Sequence, residues 1–320
     1  MRRRAFLLGL GAIGAIGAMT GLAVRRQFTT DLASAQARVG GKSSIFASRF
    51  GALEYAERGA GPAVLMIHGT GGGFDQGLAM SQPLSDSGWR VVAPSRFGYL
   101  RSDFPTDASS AAQADAFVDL LDHLEIERAP IIGGSAGALS AIEFAIRHPA
   151  RCSALVALVP AAYAPDRPPV VPPTALAQAI IDYALRSDFL FWAGMHLNEA
   201  AMVRALLATD GVVWRSADAQ DRARVRAVLR DILPVSDRAA GFANDAKLAF
   251  NPAPQELEKI RAPTLAVSLE DDRFETAAAA RHIAASVAGA KLVVYPTGGH
   301  VWVGHHDDLF TTVAEFLART

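Results

Sequence analysis

The pentapeptide Gly133-Gly134-Ser135-Ala136-Gly137 stands between a short apolar run, Pro130 to Ile132, and a helical pattern, Ala138 to His148. Its form is G-x-S-x-G in a strand-turn-helix context. A serine lifted onto so sharp a turn takes a strained backbone conformation, and a side chain two residues to either side would collide with its surroundings. The glycines there are a steric requirement, and the hydroxyl of Ser135 is expected to stand exposed at the carboxyl end of a sheet. Ser135 is therefore the candidate nucleophile.

The rest of the pattern agrees with such a sheet. Ser44 to Ser48 and Ala52 to Glu57, separated by Arg49-Phe50-Gly51, predict a hairpin. Continuous apolar runs at Ala63 to Ile67, Arg90 to Ala93, Pro130 to Ile132 and Ala154 to Val159 alternate with helical patterns, which predicts buried parallel strands. Ser110 to Glu125 reads as a helix with Phe117, Leu120, Leu121 and Leu124 on one face and Ser109 or Ser110 as its cap. After Pro160 the chain turns proline-rich, at Pro165, Pro168, Pro169, Pro172 and Pro173, and then helix-rich to about Phe250. In that stretch Asn198 is expected to cap a helix stopping at Gly211, Ser216 one stopping before Pro234, and Ser236 or Asp237 another. Strands at Thr264 to Leu269 and Lys291 to Tyr295 follow, with helices at about Thr276 to Val287 and Asp308 to Leu317.

On the serine turn and this alternation, residues 43–320 resemble the α/β-hydrolase superfamily, with the helical insertion at the position of that family's cap. The resemblance implies an α/β fold: a mostly parallel central sheet, helices on both faces, and a helical cap inserted after the sixth strand. It divides the chain into 1–40 as a leader, 41–160 and 256–320 as the core, and 161–255 as the cap. It also implies the chain order nucleophile, acid, histidine. The family's acid lies three residues after a glycine that closes a strand; Leu269 holds that place here, and counting from it gives Asp272, with Asp271 as the substitute and Asp166 as a distant third. Gly298-Gly299-His300 follows the last strand and presents the histidine, a side chain suited to accepting the serine proton and returning it to the leaving group. His305 and His306 are expected at the surface of the final helix, and His68 opens a glycine loop.

That loop, His68-Gly69-Thr70-Gly71-Gly72-Gly73, resembles the family's oxyanion loop. The backbone N–H of Thr70 or Gly71, together with that of Ala136, is expected to face the developing negative charge of a tetrahedral intermediate. No Gly-Lys-Ser/Thr follows, so a phosphate cradle is not expected. Pro94 to Asp103 resembles the loop after the next strand, departing from it at Ser95, where an acid is frequent, and at Leu100, where glycine is frequent; no chemistry is assigned to it.

The activity implied is hydrolysis of a carboxylic ester through Ser135, His300 and Asp272, with no metal or organic cofactor. Cleavage of carbon–carbon bonds in dienone acids, perhydrolysis and peptide hydrolysis run on the same triad, and a non-catalytic binding protein can keep it whole. A serine nucleophile argues against haloalkane dehalogenases and epoxide hydrolases. The expected partner is a small, apolar ester; the run Phe189-Leu190-Phe191-Trp192 suits either its acyl group or the packing of the cap, and packing is the preferred reading. With 31 basic against 32 acidic residues there is no global basic field for nucleic acid. Cys152 stands alone, which excludes an intrachain disulfide.

At the other end, Met1-Arg2-Arg3-Arg4 precedes twenty uncharged residues, Ala5 to Val24, closed by Arg25-Arg26. Arg3-Arg4-Ala5-Phe6-Leu7 resembles a twin-arginine export signal, with small-residue cleavage sites at Ala33-Ser34-Ala35 and Ala35-Gln36-Ala37. Left uncut, the run is long enough to anchor the chain in a membrane. Residues 1–40 are thus expected to export the protein, to the periplasm or beyond, or to hold it at a membrane. Within them Gly9-Leu10-Gly11-Ala12-Ile13-Gly14, with Asp31 downstream, imitates a dinucleotide fingerprint but lacks the strand such a fold needs before its first glycine.

Overall fold

The computed structural model describes residues 2–168 and 174–320, and the side chains of these except 2–20, 175–178 and 180. Eight strands form one sheet in the order β1-β2-β4-β3-β5-β6-β7-β8: β1 (Ser44–Ser48), β2 (Gly51–Arg58), β3 (Ala63–Ile67), β4 (Arg90–Pro94), β5 (Ala129–Gly134), β6 (Cys152–Leu158), β7 (Thr264–Leu269) and β8 (Lys291–Tyr295). The hairpin β1-β2 joins β4 antiparallel, and every pairing from β4 through β3 to β8 is parallel.

Both faces of the sheet are covered, which is why its central strands read as unbroken apolar runs. In β3, Leu65 and Ile67 enter the core on one face while Val64 and Met66 enter the core on the other. The first face is covered by α4 (Ser110–His123), α5 (Gly137–Arg147) and α12 (Thr276–Ser286); the second by α2 (Phe74–Met80), α3 (Gln82–Asp86) and α13 (His306–Leu317). Ser109 caps α4, accepting a hydrogen bond from the Ala112 N–H. Helix α13 starts at His306, earlier than its pattern suggests, and Trp302 Nε1 donates to His306 Nδ1 at 3.1 Å.

The cap follows β6: α6 (Ala175–Ala184), α7 (Asp188–Leu197), α8 (Glu199–Leu206), α9 (Gly211–Ser216), α10 (Ala219–Arg230) and α11 (Ala239–Leu248). Pro169, Pro172 and Pro173 lie outside the described residues. The cap is divided more finely than its capping residues suggest. Asn198 does cap α8, but that helix ends at Leu206 and Asp210 caps a further one. Ser216 donates its hydroxyl back to Val213, so Asp218 caps α10 instead. Ser236 is bound to the Asp188 carboxylate, and α11 begins at Ala239 without a side-chain cap. Phe191 and Trp192 are buried in the cap's own core with Val225 and Leu229, so this half of the aromatic run packs the cap, while Phe189 and Leu190 are exposed.

The leader is where the structure overturns the sequence reading. Arg2–Val39 forms one helix, α1, and among the described residues no helix is long and apolar enough to cross a membrane. The side chains of Arg3 and Arg4 lie outside those described. The C-terminal part of α1 is built into the protein: Ala35 is 3% exposed in the cap core, Phe28 meets Phe189 and Trp192 edge-on at 5.2 and 5.6 Å, and Trp192 Nε1 donates to Asp31 at 2.8 Å. Both expected cleavage sites fall inside this packed helix. Ala35, shared by both sites, is small because it packs closely in the cap core, and a count of small residues and hydropathy does not distinguish that from a processing site. Asp31, engaged with Trp192, belongs to no ribose site, and the glycines at 9, 11 and 14 are helical.

Candidate active site

The turn from β5 into α5 carries Ser135 at φ 52°, a left-handed conformation that is costly for a residue with a side chain. Its neighbours enforce it. A Cβ at Gly133 would lie 2.7 Å from Ala138 Cα, and one at Gly137 2.4 Å from the His68 carbonyl oxygen. Ser135 N–H donates to Leu158 of β6 at 2.9 Å, fixing the turn against the next strand.

The chain brings three of the expected residues together. Ser135 Oγ and His300 Nε2 are 2.8 Å apart, and His300 Nδ1 and Asp272 Oδ2 are 2.8 Å apart. Asp272 also accepts from Thr276 Oγ1 and from the Phe274 N–H at 2.9 Å. Burial alone would push its carboxyl up, but the neighbouring His300, with these hydrogen bonds, holds it below the usual carboxylate range. Asp271 faces the other way: its two oxygens accept from the N–H groups of Gly298 and Gly299 at 3.1 and 2.8 Å, clamping the loop that carries His300. Asp166 is exposed on the segment after β6. Leu269, at the position where glycine is frequent, is fully buried, and Gly298 leaves room for it: a Cβ there would come within 2.5 Å of Leu269.

The oxyanion loop separates its two candidates. The Gly71 N–H donates to Tyr99 Oη at 3.2 Å, whose own hydroxyl donates to Asp245 at 2.6 Å. The loop approaches the nucleophile closely because Gly69 has no side chain: a Cβ on it would lie 3.0 Å from that of Ser135. His68 is structural. Its Nε2 accepts from the Arg96 N–H at 2.9 Å and its Nδ1 donates to the Gly69 carbonyl at 2.7 Å, while Tyr99 meets its ring edge-on.

Pro94 to Asp103, assigned no chemistry from sequence, thus supplies the seat of this loop. Ser95 accepts from the Phe74 N–H and donates to Glu54, and Arg96 forms a two-bond ion pair with Asp245 at 2.8 and 2.6 Å. Leu100 sits at φ 53°, which accounts for the frequency of glycine at that position in the family. The signal missed was Tyr99, since no local pattern shows that its hydroxyl meets a glycine N–H from another loop.

A cavity of about 1400 Å³ opens above Ser135 between core and cap, with Leu207, Ile232, Phe242 and Phe274 on its walls. That exceeds the ~300–1,000 Å³ usual for small-molecule sites. Among the described residues there is no cluster of His, Cys, Asp and Glu suited to a metal ion.

A sequence profile described as alpha/beta hydrolase fold matches residues 62–304. The chain belongs to the α/β-hydrolase family. Among curated relatives, this hydrolase is 28% identical over 280 residues, 83% of its own length and 91% of the other's, to a 2-hydroxy-6-oxononadienedioate/2-hydroxy-6-oxononatrienedioate hydrolase of Paraburkholderia xenovorans. Among solved structures, an alpha/beta hydrolase fold protein from Nakamurella multipartita superposes with a TM-score of 0.69 at 26% identity, covering 86% of this chain and 98% of that one. A membrane phospholipase A superposes with a TM-score of 0.65 at 22% identity over 100% of this α/β-hydrolase and 99% of its own chain, a likeness of fold that includes α1.

Proposed function

We propose that this hydrolase cleaves an acyl compound through an acyl-enzyme on Ser135. The observation that carries the reading is the continuous relay Ser135 Oγ, His300 Nε2, His300 Nδ1, Asp272 Oδ2 at the base of the cavity. His300 takes the serine proton as Oγ attacks the carbonyl carbon, and Asp272 orients the ring and stabilises the imidazolium. The Thr70 and Ala136 N–H groups hold the oxyanion, each donor contributing about 3 kcal/mol to the transition state. His300 then protonates the leaving group and activates the water that releases the acid.

For the bond cleaved, the first reading is the carbon–carbon bond of a 2-hydroxy-6-oxo-dienoic acid, supported by the curated relative from Paraburkholderia xenovorans. Such a substrate carries a carboxylate, and Arg167 on the cavity wall supplies a half-buried cation held by the carbonyls of Ala162 and Phe274 rather than by a carboxylate. Burial lowers the Arg167 pKa, and the nearby charges of Asp272 and Glu275 act in the opposite direction. The second reading is a carboxylic ester with a long apolar acyl group, favoured by the size of the cavity and its apolar walls. A dienoic acid and a panel of p-nitrophenyl esters of graded chain length, assayed side by side, separate the two. Turnover of the acid that falls in Arg167→Met, with ester turnover kept, supports the first; ester turnover alone, rising with chain length and indifferent to Arg167, supports the second. Failure of Ser135→Ala to abolish either would overturn the common mechanism.

A further inference from the structure

Asp75 lies in the first turn of α2, immediately after the oxyanion loop, and two arginines from distant parts of the chain converge on it. Arg238, at the start of the segment leading into α11, is fully buried and reaches the Asp75 carboxylate at 3.2 and 2.9 Å; its Nη1 also donates to the carbonyl oxygen of Gly72 within the loop. Arg38, in the last turn of α1, reaches the same carboxylate through Nε at 3.1 Å. Its Nη2 donates to the carbonyls of Asp231 and Leu233, and its Nη1 lies 3.3 Å from the Asp231 carboxylate. Burial would push the Asp75 carboxyl up, but the charges of Arg238 and Arg38 outweigh it and keep the group ionised. The N-terminal helix, the cap and the oxyanion loop therefore meet at one buried carboxylate.

We infer that Arg38 and Arg238 are positioning residues for the oxyanion loop, acting through Asp75, so that the docked end of α1 is part of the catalytic framework. The loop is glycine-rich, so its position is set by the groups that bond its backbone rather than by packed side chains. Besides the bond to Arg238, it is held by Gly71 N–H on Tyr99, by Gly69 N–H on Gln76 Oε1 at 3.2 Å, and at its two ends by His68 Nε2 accepting from Arg96 N–H and the Gly73 carbonyl accepting from Gly77 N–H. There is no slack at Gly73, where a Cβ would lie 2.5 Å from Leu100 and 2.8 Å from the Arg238 guanidinium. An oxyanion donor acts only when its nitrogen sits about 3 Å from the developing charge, so a displacement of the loop by ~1 Å falls on the transition state and spares substrate binding. Arg38 differs from a surface tether in that its guanidinium joins the Asp75 carboxylate, one turn beyond the loop, to the cap segment 231–233, which a lysine cannot reproduce because it lacks the planar fork.

The kinetic part of this inference rests on Ser135 being the nucleophile; the structural part does not. The test uses the full chain with Arg38→Met and Arg38→Lys, read by hydrogen exchange across residues 68–80 and by kcat and KM on whichever substrate the wild type turns over. Arg38→Met is expected to speed exchange in that segment about tenfold while β6 to β8 keep their protection, and to lower kcat about tenfold with KM within about threefold of wild type. Arg38→Lys is expected to restore part of both. Unchanged exchange in 68–80, a uniform rise across the whole sheet, or a raised KM with kcat intact would each overturn it. If the wild type turns over neither a dienoic acid nor an ester, the proposed function fails, and the exchange measurement still decides the role of Arg38.

Discussion

Asp271 and Gly299 are joined at 2.8 Å, carboxylate oxygen to backbone nitrogen, so the acid next in sequence to Asp272 holds the histidine's loop while Asp272 holds the histidine's ring. Adjacent residues on one turn point to opposite sides, and the two acids do different work. Exchange of Asp272 for Asn is expected to cut kcat by about 10⁴, because the amide favours the wrong imidazole tautomer. Asp271→Asn keeps an oxygen for one of the two glycine N–H groups and is expected to cost about tenfold in kcat and ~1–2 kcal/mol of stability. Steady-state kinetics with urea unfolding of both variants checks this; equal losses from the two would contradict the assignment.

Ser135→Ala removes a hydroxyl and little packing. The variant is expected to keep the wild-type melting temperature to within ~2 °C while losing both turnover and covalent labelling by a serine-directed phosphonate, read by intact mass. Labelling that persists in the variant would place the nucleophile elsewhere.

Stability is expected to fall as pH drops below neutrality, through His68. Burial pushes its imidazole well below the usual value, the nearby Arg96 charge adds to this, and the bond to the Gly69 carbonyl only partly opposes it. The folded pKa is therefore lower than the unfolded one of ~6.5, and between the two the unfolded chain binds a proton that the folded chain refuses. The contribution is complete above pH ~6.5 and is lost at up to about 1.4 kcal/mol per pH unit below it. His306, also lowered by burial, adds with the same sign. Asp75 and Asp272, held low, lose their contributions only in the acid range below about pH 4. Urea unfolding free energies between pH 7.5 and 5 read this directly, and a flat profile would count against a neutral buried His68.

Phe28→Ala is expected to destabilise the cap. The ring makes two edge-on aromatic contacts on a half-buried site, so a loss of about 1–2 kcal/mol follows. Protease sensitivity within residues 185–230 should rise with it. A variant as stable and as resistant as wild type would mean that α1 lies on the cap without supporting it.

What the sequence determined by itself is what short-range sterics and periodicity encode. The serine turn was legible because Gly133 and Gly137 are demanded by backbone within a few ångströms, and the central strands because burial on both faces makes their residues mostly apolar. The order of Ser135, an acid and His300 along the chain was legible only through the resemblance to the α/β-hydrolase family, which says after which strands to look. Tertiary structure alone decided which acid meets the imidazole, since Asp271 and Asp272 share one turn and differ only in direction. It also decided that the Gly71 N–H is taken up within the protein, because its acceptor is Tyr99, 28 residues away. The leader was misread for a related reason. Its hydropathy and small residues are local quantities, whereas its role depends on Trp192, Asp75 and Asp231, which become its neighbours only when the cap and the core have closed around it.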